Sequence, residues 1–296
     1  MNKKFIILIA AIILIQILTS CSSLYKKNSE DFKKIDNIDV IFNSNDKYKT
    51  KTDTSIIAKR NILILTATNI EKSEINKIIR NKKIITIKEH VNNKAITLGT
   101  IHNHNIISIA TGVGKINTAL WTSYIISKYK ISHIINTGVA SGIYNNKNKF
   151  IKIGDVVIST QTANYDFNLY KFGYEIGQVP EHPKKFKASI ALIRKAYKIK
   201  TKNSISHIMG LIITGDKFID HQNLQEIPEE FQNAIAVDME SAAMAQVAFN
   251  LNIPFIIIRG ISDIVNNENN YYDNKKFIRK ASRNSAKIVE KLIKLM

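Results

Sequence analysis

Three carboxylates stand where a short apolar run gives way to small and polar residues. Glu71 closes Thr66-Ala67-Thr68-Asn69-Ile70-Glu71, Glu240 closes Val237-Asp238-Met239-Glu240, and Asp263 closes Arg259-Gly260-Ile261-Ser262-Asp263. Acids so placed can donate a proton, activate a water, or grip hydroxyls by accepting two hydrogen bonds side by side. Taken singly, each also reads as a helix cap or first-turn carboxylate, favoured by the helix dipole. Glu71 and Glu240 are the more open to that reading, because each precedes a helical stretch. His102 and His104 are two apart in a hairpin-like segment without a cysteine or acid cluster, and read as exposed loop histidines. The spacing gives no metal site, and no Gly-rich loop followed by Lys-Ser/Thr points to a nucleoside triphosphate; no cofactor is expected.

The elements that must position the acids alternate from residue 61 onward. β-Branched runs at 62–66, 106–111, 133–137, 156–160, 211–214, 234–237 and 255–259 predict strands. Helices are predicted at 72–80, 115–128, 188–198, 241–250 and 275–295. Continuous apolar strands joined by helical crossovers imply a sheet buried on both faces. The expected class is therefore α/β, a three-layer α/β/α domain with a central mixed, mostly parallel sheet. Small and polar residues gather after several strands, at 68–71, 111–114, 137–142, 215–218, 238–240 and 260–263. Ligands of open α/β sheets bind beyond the carboxyl ends of the strands, so six distant clusters can converge on one small-molecule site.

The first 60 residues have another texture. Lys3 and Lys4 precede an apolar run at 5–18, and Leu18-Thr19-Ser20-Cys21 follows, with Cys21 the single cysteine of the 296-residue chain. That run is shorter than the about 20 residues a membrane helix needs. The layout is that of a secretory signal peptide. It resembles a bacterial lipobox, which implies cleavage after residue 20 and a diacylated Cys21. The expected organisation is a lipoprotein signal peptide at 1–20, a flexible polar tether at 21–58 and a folded domain at 59–296. An exported lipoprotein on the periplasmic or cell-surface side of a bacterial membrane follows. With one cysteine, no disulfide forms within the chain, and the 45% hydrophobic content must supply the core.

Taken together, the motifs carry more than each acid alone. They are Thr111-Gly112-Val113-Gly114-Lys115, Ile135-Asn136-Thr137-Gly138-Val139-Ala140-Ser141-Gly142, Phe172-Gly173-Tyr174-Glu175-Ile176-Gly177-Gln178-Val179-Pro180, Gly215-Asp216-Lys217-Phe218, Ala236-Val237-Asp238-Met239-Glu240 and Ile258-Arg259-Gly260-Ile261-Ser262-Asp263. In this order, over about residues 60–295, the chain resembles the 5'-methylthioadenosine/S-adenosylhomocysteine nucleosidases of the nucleoside phosphorylase/hydrolase superfamily.

The resemblance implies a nucleoside phosphorylase-like fold, a nucleoside substrate and hydrolysis of its N-glycosidic bond. Asp263 matches the donor of a proton to purine N7, which demands a raised pKa, expected from burial and a hydrogen bond to the neutral form. Ser262 is placed to orient it. Glu71 matches the residue that activates water against an oxocarbenium-like sugar. Glu240 matches the acceptor for the ribose hydroxyls, Met239 a residue packing under the ribose, and Phe218 the aromatic stacked on adenine. Ile219 would offer backbone groups to the base edge. Thr68, Val113 and Val139 fall among the substrate-binding positions, and Arg259 reads as architectural. Leu169, Phe172, Tyr174 and Pro180 match a lid lent to the neighbouring subunit, which implies a homodimer; packing against their own subunit is the alternative.

The chain departs from the pattern in places. Thr68 stands where relatives carry methionine, Asn69 and Ile70 replace acids, Asp238 replaces a glutamate, and Val139 replaces a serine. The phosphorylase cousins bind phosphate through that serine and through arginines near the first strand. Here that loop holds Glu71, and no arginine lies between residues 61 and 79. Hydrolysis is therefore expected, with purine nucleoside phosphorylase as an alternative. A net charge of +19 adds a different one. Residues 182–215 contain no acid, and Lys184, Lys185, Lys187, Arg194, Lys195, Lys198, Lys200 and Lys202 lie there. Arg279, Arg283, Lys287 and Lys291 recur every four residues, opposite Phe277, Ala281, Ile288 and Leu292. These faces read as solvated surface, or as a site on a basic surface lipoprotein for glycosaminoglycans or other polyanions. Nucleic acid is not expected, since aromatics are not interleaved with the basic runs.

Overall fold

The computed structural model describes residues 60–88, 93–143, 151–201 and 205–296. The expected signal peptide, Cys21, the tether at 21–58 and Lys202 lie outside the described residues.

The described part opens with β1 (Asn61–Thr66), buried along its whole length, as suits an Ile/Leu strand covered on both faces. Next come α1 (Asn69–Ile78), β2 (Arg80–Ile87), β3 (Lys94–Ile101), β4 (His104–Ala110) and α2 (Lys115–Lys128). The second half carries β5 (Ile131–Gly142), β6 (Val156–Asn164), β7 (Phe186–Lys187), α3 (Ile190–Tyr197) and β8 (His207–Thr214). It closes with β9 (Ala236–Asp238), α4 (Ser241–Asn250), β10 (Phe255–Ile264) and α5 (Asn270–Lys294).

The strands form one mixed sheet in the order β10-β6-β8-β9-β5-β1-β4-β3-β2, with β7 on β6. An additional pairing of β10 with β5 closes β5, β10, β6, β8 and β9 into a ring. The ladders of β1 with β4 and β5, of β5 with β10, and of β8 with β6 and β9 are parallel. Antiparallel ladders join β2 to β3, β3 to β4, β5 to β9, β6 to β7 and β6 to β10. Helix α5 lies along β10 and β5 with α1 beside it, while α2 packs on α4. Sheet and helices share a core of Ile, Leu and Val side chains that includes Ile62, Ile64, Ile107, Ile135, Ile257 and Val289.

Three features differ from the sequence reading. The hairpin of β2 and β3 was not expected, because β2 is Lys-rich and largely exposed. It is an edge strand, and its charges are what keep an edge from pairing with other chains. His102 is indeed exposed, in the turn at a φ of 50°, but His104 opens β4 and is half-buried. Most consequential, β5 and β10 do not stop at 137 and 259. They run on beside each other to Gly142 and Ile264, so Ser262 and Asp263 belong to a strand rather than to a loop beyond one. A register shift between Ile261 and Asp263 sets Asp263 opposite Ser141, and an irregularity of this kind re-aims a side chain.

Candidate active site

Helix α1 begins with a capping box. Thr68 is its N-cap, and the Thr68 hydroxyl accepts from Glu71 N–H at 3.3 Å. Glu71 Oε2 accepts from Thr68 N–H at 2.6 Å and from the Thr68 hydroxyl at 2.9 Å. Its other oxygen, Oε1, accepts from Val139 N–H at 2.8 Å. The capping role open in the sequence is therefore real, and it points the carboxylate across to β5. Gly138 makes the approach possible: a Cβ there would lie 2.2 Å from Glu71 Oε1.

Glu240 sits at the N-cap position of α4. Its Oε1 accepts from Gly114 N–H at 2.9 Å, and its Oε2 lies 3.3 Å from Arg259 Nη2. Arg259 is a fully buried guanidinium at 1% exposure, so it must be paired. Its Nε lies 2.9 Å from Asp238 Oδ2, and its Nη1 donates to the Val139 carbonyl at 3.3 Å. Asp238 in turn accepts from Thr214 Oγ1 at 2.7 Å and from the N–H groups of Glu240 and Ser241 at 3.2 and 3.1 Å. Arg259 thus ties β10, β5 and the start of α4 together. Burial pushes the Glu240 carboxyl up from its ordinary value, with Asp238 and Glu71 adding and Arg259 and Gly114 N–H opposing.

Asp263 is fully buried. Burial raises its carboxyl above the ordinary value, while hydrogen bonds from Ser141, Ser262, Asn274 and Asn270 pull the other way. The direction agrees with the sequence reading, but one cause does not. The bonds from Ser141, Ser262, Asn274 and Asn270 favour the charged form, so burial does the raising. Ser262 Oγ donates to Asp263 Oδ1 at 2.7 Å.

These groups meet at one cavity of about 180 Å³ where the carboxyl ends of several strands converge. Thr68, Glu71, Val113, Val139, Phe218, Ile219, Met239 and Glu240 all line it. Asp263 stands behind the wall, joined to it through Ser141 and Asn274, which do line it. The Phe218 and Tyr271 rings form a T-shaped pair at 6.5 Å between centroids, and the Ile219 carbonyl accepts from Asn270 Nδ2 at 2.9 Å. Lys217 is the one cation among the described lining residues, and it pairs with Glu226 at 2.6 Å. Leu169, Phe172, Tyr174 and Pro180 are not among the lining residues of this chain's cavity, and Phe172 is 77% exposed.

Sequence reasoning did not single out Ser141, Asn270 or Asn274 as site residues. Ser141 lay inside a quoted motif, and its pairing opposite Asp263 appears only once β5 is followed to its end. The two asparagines sat in a polar stretch with the composition of a loop. Lys115 is another residue whose role only the structure shows. Its Nζ lies 2.7 Å from Asp166 Oδ1 and 3.1 Å from Asp216 Oδ2, while Asp216 N–H donates to Asp166 Oδ2 at 2.8 Å. That bridge ties together the loops after β4, β6 and β8, two of which carry Val113 and Phe218.

The sequence profile of the Phosphorylase superfamily matches residues 61–294. A 5'-methylthioadenosine/S-adenosylhomocysteine nucleosidase of Bacillus cereus (strain G9842) is 38% identical over 220 residues, which cover 73% of this chain and 93% of that protein. A crystal structure of such a nucleosidase from Borrelia burgdorferi B31, bound to adenine, superposes with a TM-score of 0.76 at 50% identity, covering 79% of this chain and 100% of that one. Another, from Neisseria meningitidis in complex with methylthio-immucillin-A, gives a TM-score of 0.72 at 31% identity, covering 80% and 100%. With four of its motifs lining one cavity and these relatives spanning the folded part, the chain belongs to the 5'-methylthioadenosine/S-adenosylhomocysteine nucleosidases of the phosphorylase superfamily.

Proposed function

We propose that the chain hydrolyses the N-glycosidic bond of 5'-methylthioadenosine and S-adenosylhomocysteine, releasing adenine and the 5-thioribose product. The observation that carries this reading is the buried Asp263 behind a cavity whose walls hold Glu71 and Glu240. Asp263 protonates purine N7, so that the base leaves as neutral adenine. Glu71 orients the attacking water and takes its proton, and Glu240 accepts hydrogen bonds from the ribose hydroxyls. Phe218 stacks on the base, Ile219 borders its edge, and Met239 packs under the sugar.

Hydrolysis is favoured over phosphorolysis by charge. Val139 N–H is held by Glu71, and Arg259 is held by Asp238 and Glu240, so neither serves a phosphate. A carboxylate beside a phosphate dianion also repels it. Incubating the protein with methylthioadenosine, with and without phosphate, tests this. Free adenine and a reducing thioribose, formed at one rate in both, are expected; a thioribose 1-phosphate appearing only with phosphate would make it a phosphorylase.

The working unit in this reading is a homodimer, in which Leu169, Phe172, Tyr174 and Pro180 of one subunit wall the 5'-substituent pocket of the other. The exposure of Phe172 supports it. A lipid on Cys21 anchors the domain to a bacterial membrane. A second, compatible activity is polyanion binding, supported by the exposure of Arg279, Arg283 and Lys287 along one face of α5. Lys291 and Lys195 contribute less, since their ammonium groups donate to the Lys200 and Leu295 carbonyls. On a heparin column the protein is expected to elute at higher salt than a charge-matched control; equal elution would remove that activity.

A further inference from the structure

Asn270 and Asn274 are four residues apart at the start of α5, and so share one face of the helix. Asn270 is buried at 1% exposure. Its Nδ2 donates to the Ile219 carbonyl at 2.9 Å and reaches Asp263 Oδ2 only at 3.5 Å. A carbonyl oxygen can only accept, so the contact with Ile219 fixes which end of the amide is the NH2 group. Asn274 Nδ2 reaches Ser262 Oγ at 3.1 Å and Asp263 Oδ1 at 3.2 Å, while Ser262 Oγ donates to the same Oδ1 at 2.7 Å. The two carboxyl oxygens are therefore unequal. Oδ1 accepts from Ser262 and Asn274 at normal distance, whereas the Asn270 amide beside Oδ2 has a nearer acceptor; the Ser141 hydroxyl bonds the carboxyl as well.

We propose that Asn270 and Asn274 are positioning residues for the general acid: Asn274 and Ser262 fill the acceptor sites of Asp263 Oδ1, Asn270 holds its amide on the Ile219 carbonyl beside Oδ2, and Oδ2 is left as the oxygen that carries the proton to the purine. The proposal rests on the nucleosidase reading above. A proton on Oδ1 would face the NH2 group of Asn274, which has no lone pair to receive it. A proton on Oδ2 leaves both bonds to Oδ1 intact. The Ser141 hydroxyl also bonds this carboxyl, and a hydroxyl can turn from donor to acceptor as the acid gains its proton. In the reaction the Oδ2–H bond breaks as N7–H forms. The C1'–N9 bond breaks with its electron pair going to the purine, water oxygen bonds to C1', and the water proton passes to Glu71. Asp263 is left as a carboxylate, which the Ser262 and Asn274 donors stabilise.

The charged groups around the acid stay constant when either asparagine is replaced by alanine, whereas Asn274→Asp adds a carboxylate beside it. Glu71 of α1, Asp238 and Glu240 of β9 and α4, and Lys217 after β8 line the same cavity. Arg259 lies four residues back on β10, and Asp273 and Lys275 flank Asn274 on α5. A change in the pH profile of the alanine variants then reports the amides.

The test is the pH dependence of kcat/KM for adenine release by the full chain, for wild type, Asn274→Ala, Asn274→Asp and Asn270→Ala. Losing a donor to the carboxylate disfavours the charged form, so the alkaline limb is expected to rise by about half a pH unit or more in Asn274→Ala. It rises further in Asn274→Asp, and kcat falls in both. In Asn270→Ala a smaller rise comes with an increase in KM, because the Ile219 carbonyl loses its donor. A lower rate with an unmoved limb in the variants that fold would show a merely structural role and overturn the proposal. Calorimetry of adenine binding in two buffers of different ionisation heat gives a second readout. Proton uptake above neutral pH is expected to be smaller in the asparagine variants than in wild type, and equal uptake would contradict the proposal. Absence of adenine release by wild type would instead sink the nucleosidase reading itself.

Discussion

Gly138 shows how closely single residues are fitted at this site. A Cβ there would meet Glu71 Oε1 at 2.2 Å and Arg259 Nη1 at 3.0 Å, at a φ of 148° that side chains avoid. Gly138→Ala is expected to push the Glu71 carboxylate off Val139 N–H and to lower kcat/KM about 100-fold, since misplacing a reacting group by an ångström costs that much. Steady-state kinetics on the variant checks it. Arg259 matters for stability instead. Arg259→Met would leave Asp238 and Glu240 buried without their cation, and urea unfolding should show a loss of about 3–5 kcal/mol. The three acids were legible in the sequence because their types are reactive and their motifs are ordered. Gly138 and Ser141 gain their meaning only from register, and Asn270 and Asn274 only from the turn of α5 that lays them over Asp263.

At the scale of elements, the strand ends and the loops between them do the positioning. The capping box of α1 aims Glu71, the start of α4 aims Glu240, and the extension of β10 carries Asp263. Lys115, the first residue of α2, pins the loops after β6 and β8 through Asp166 and Asp216. Lys115→Ala is expected to free the loop that bears Phe218. KM for methylthioadenosine should rise about tenfold with a smaller change in kcat, as follows when mainly uniform binding is lost. A larger effect on kcat than on KM would show that the bridge acts on the chemistry. The helices at 115–128 and 241–250 were legible to the residue, because apolar spacing and small residues mark them. The β2–β3 hairpin was not, since an exposed Lys-rich edge strand lacks the apolar alternation that marks a half-buried one. The full length of β5 and β10 was hidden by glycines and small polar residues, which look like loop until the two strands are seen to pair.

For the whole molecule, the raised carboxyl of Asp263 links function to stability. The folded state holds its proton more tightly than the unfolded chain, whose group titrates near the ordinary 3.8. Its contribution to stability is therefore complete below that value and is lost as pH rises through the higher, folded one. Asp263→Asn removes this titration. The stability of the variant relative to wild type is expected to grow between pH 4 and pH 8 in paired urea unfolding curves, and a difference that shrinks with pH would mean the carboxyl is not raised. The most direct measurement of the central claim is the rate of adenine release from methylthioadenosine by wild type and by Asp263→Asn at neutral pH. Turnover by wild type with a loss of several orders of magnitude in the folded variant is expected, because an amide cannot deliver the proton to N7. Comparable rates in the two proteins would contradict it.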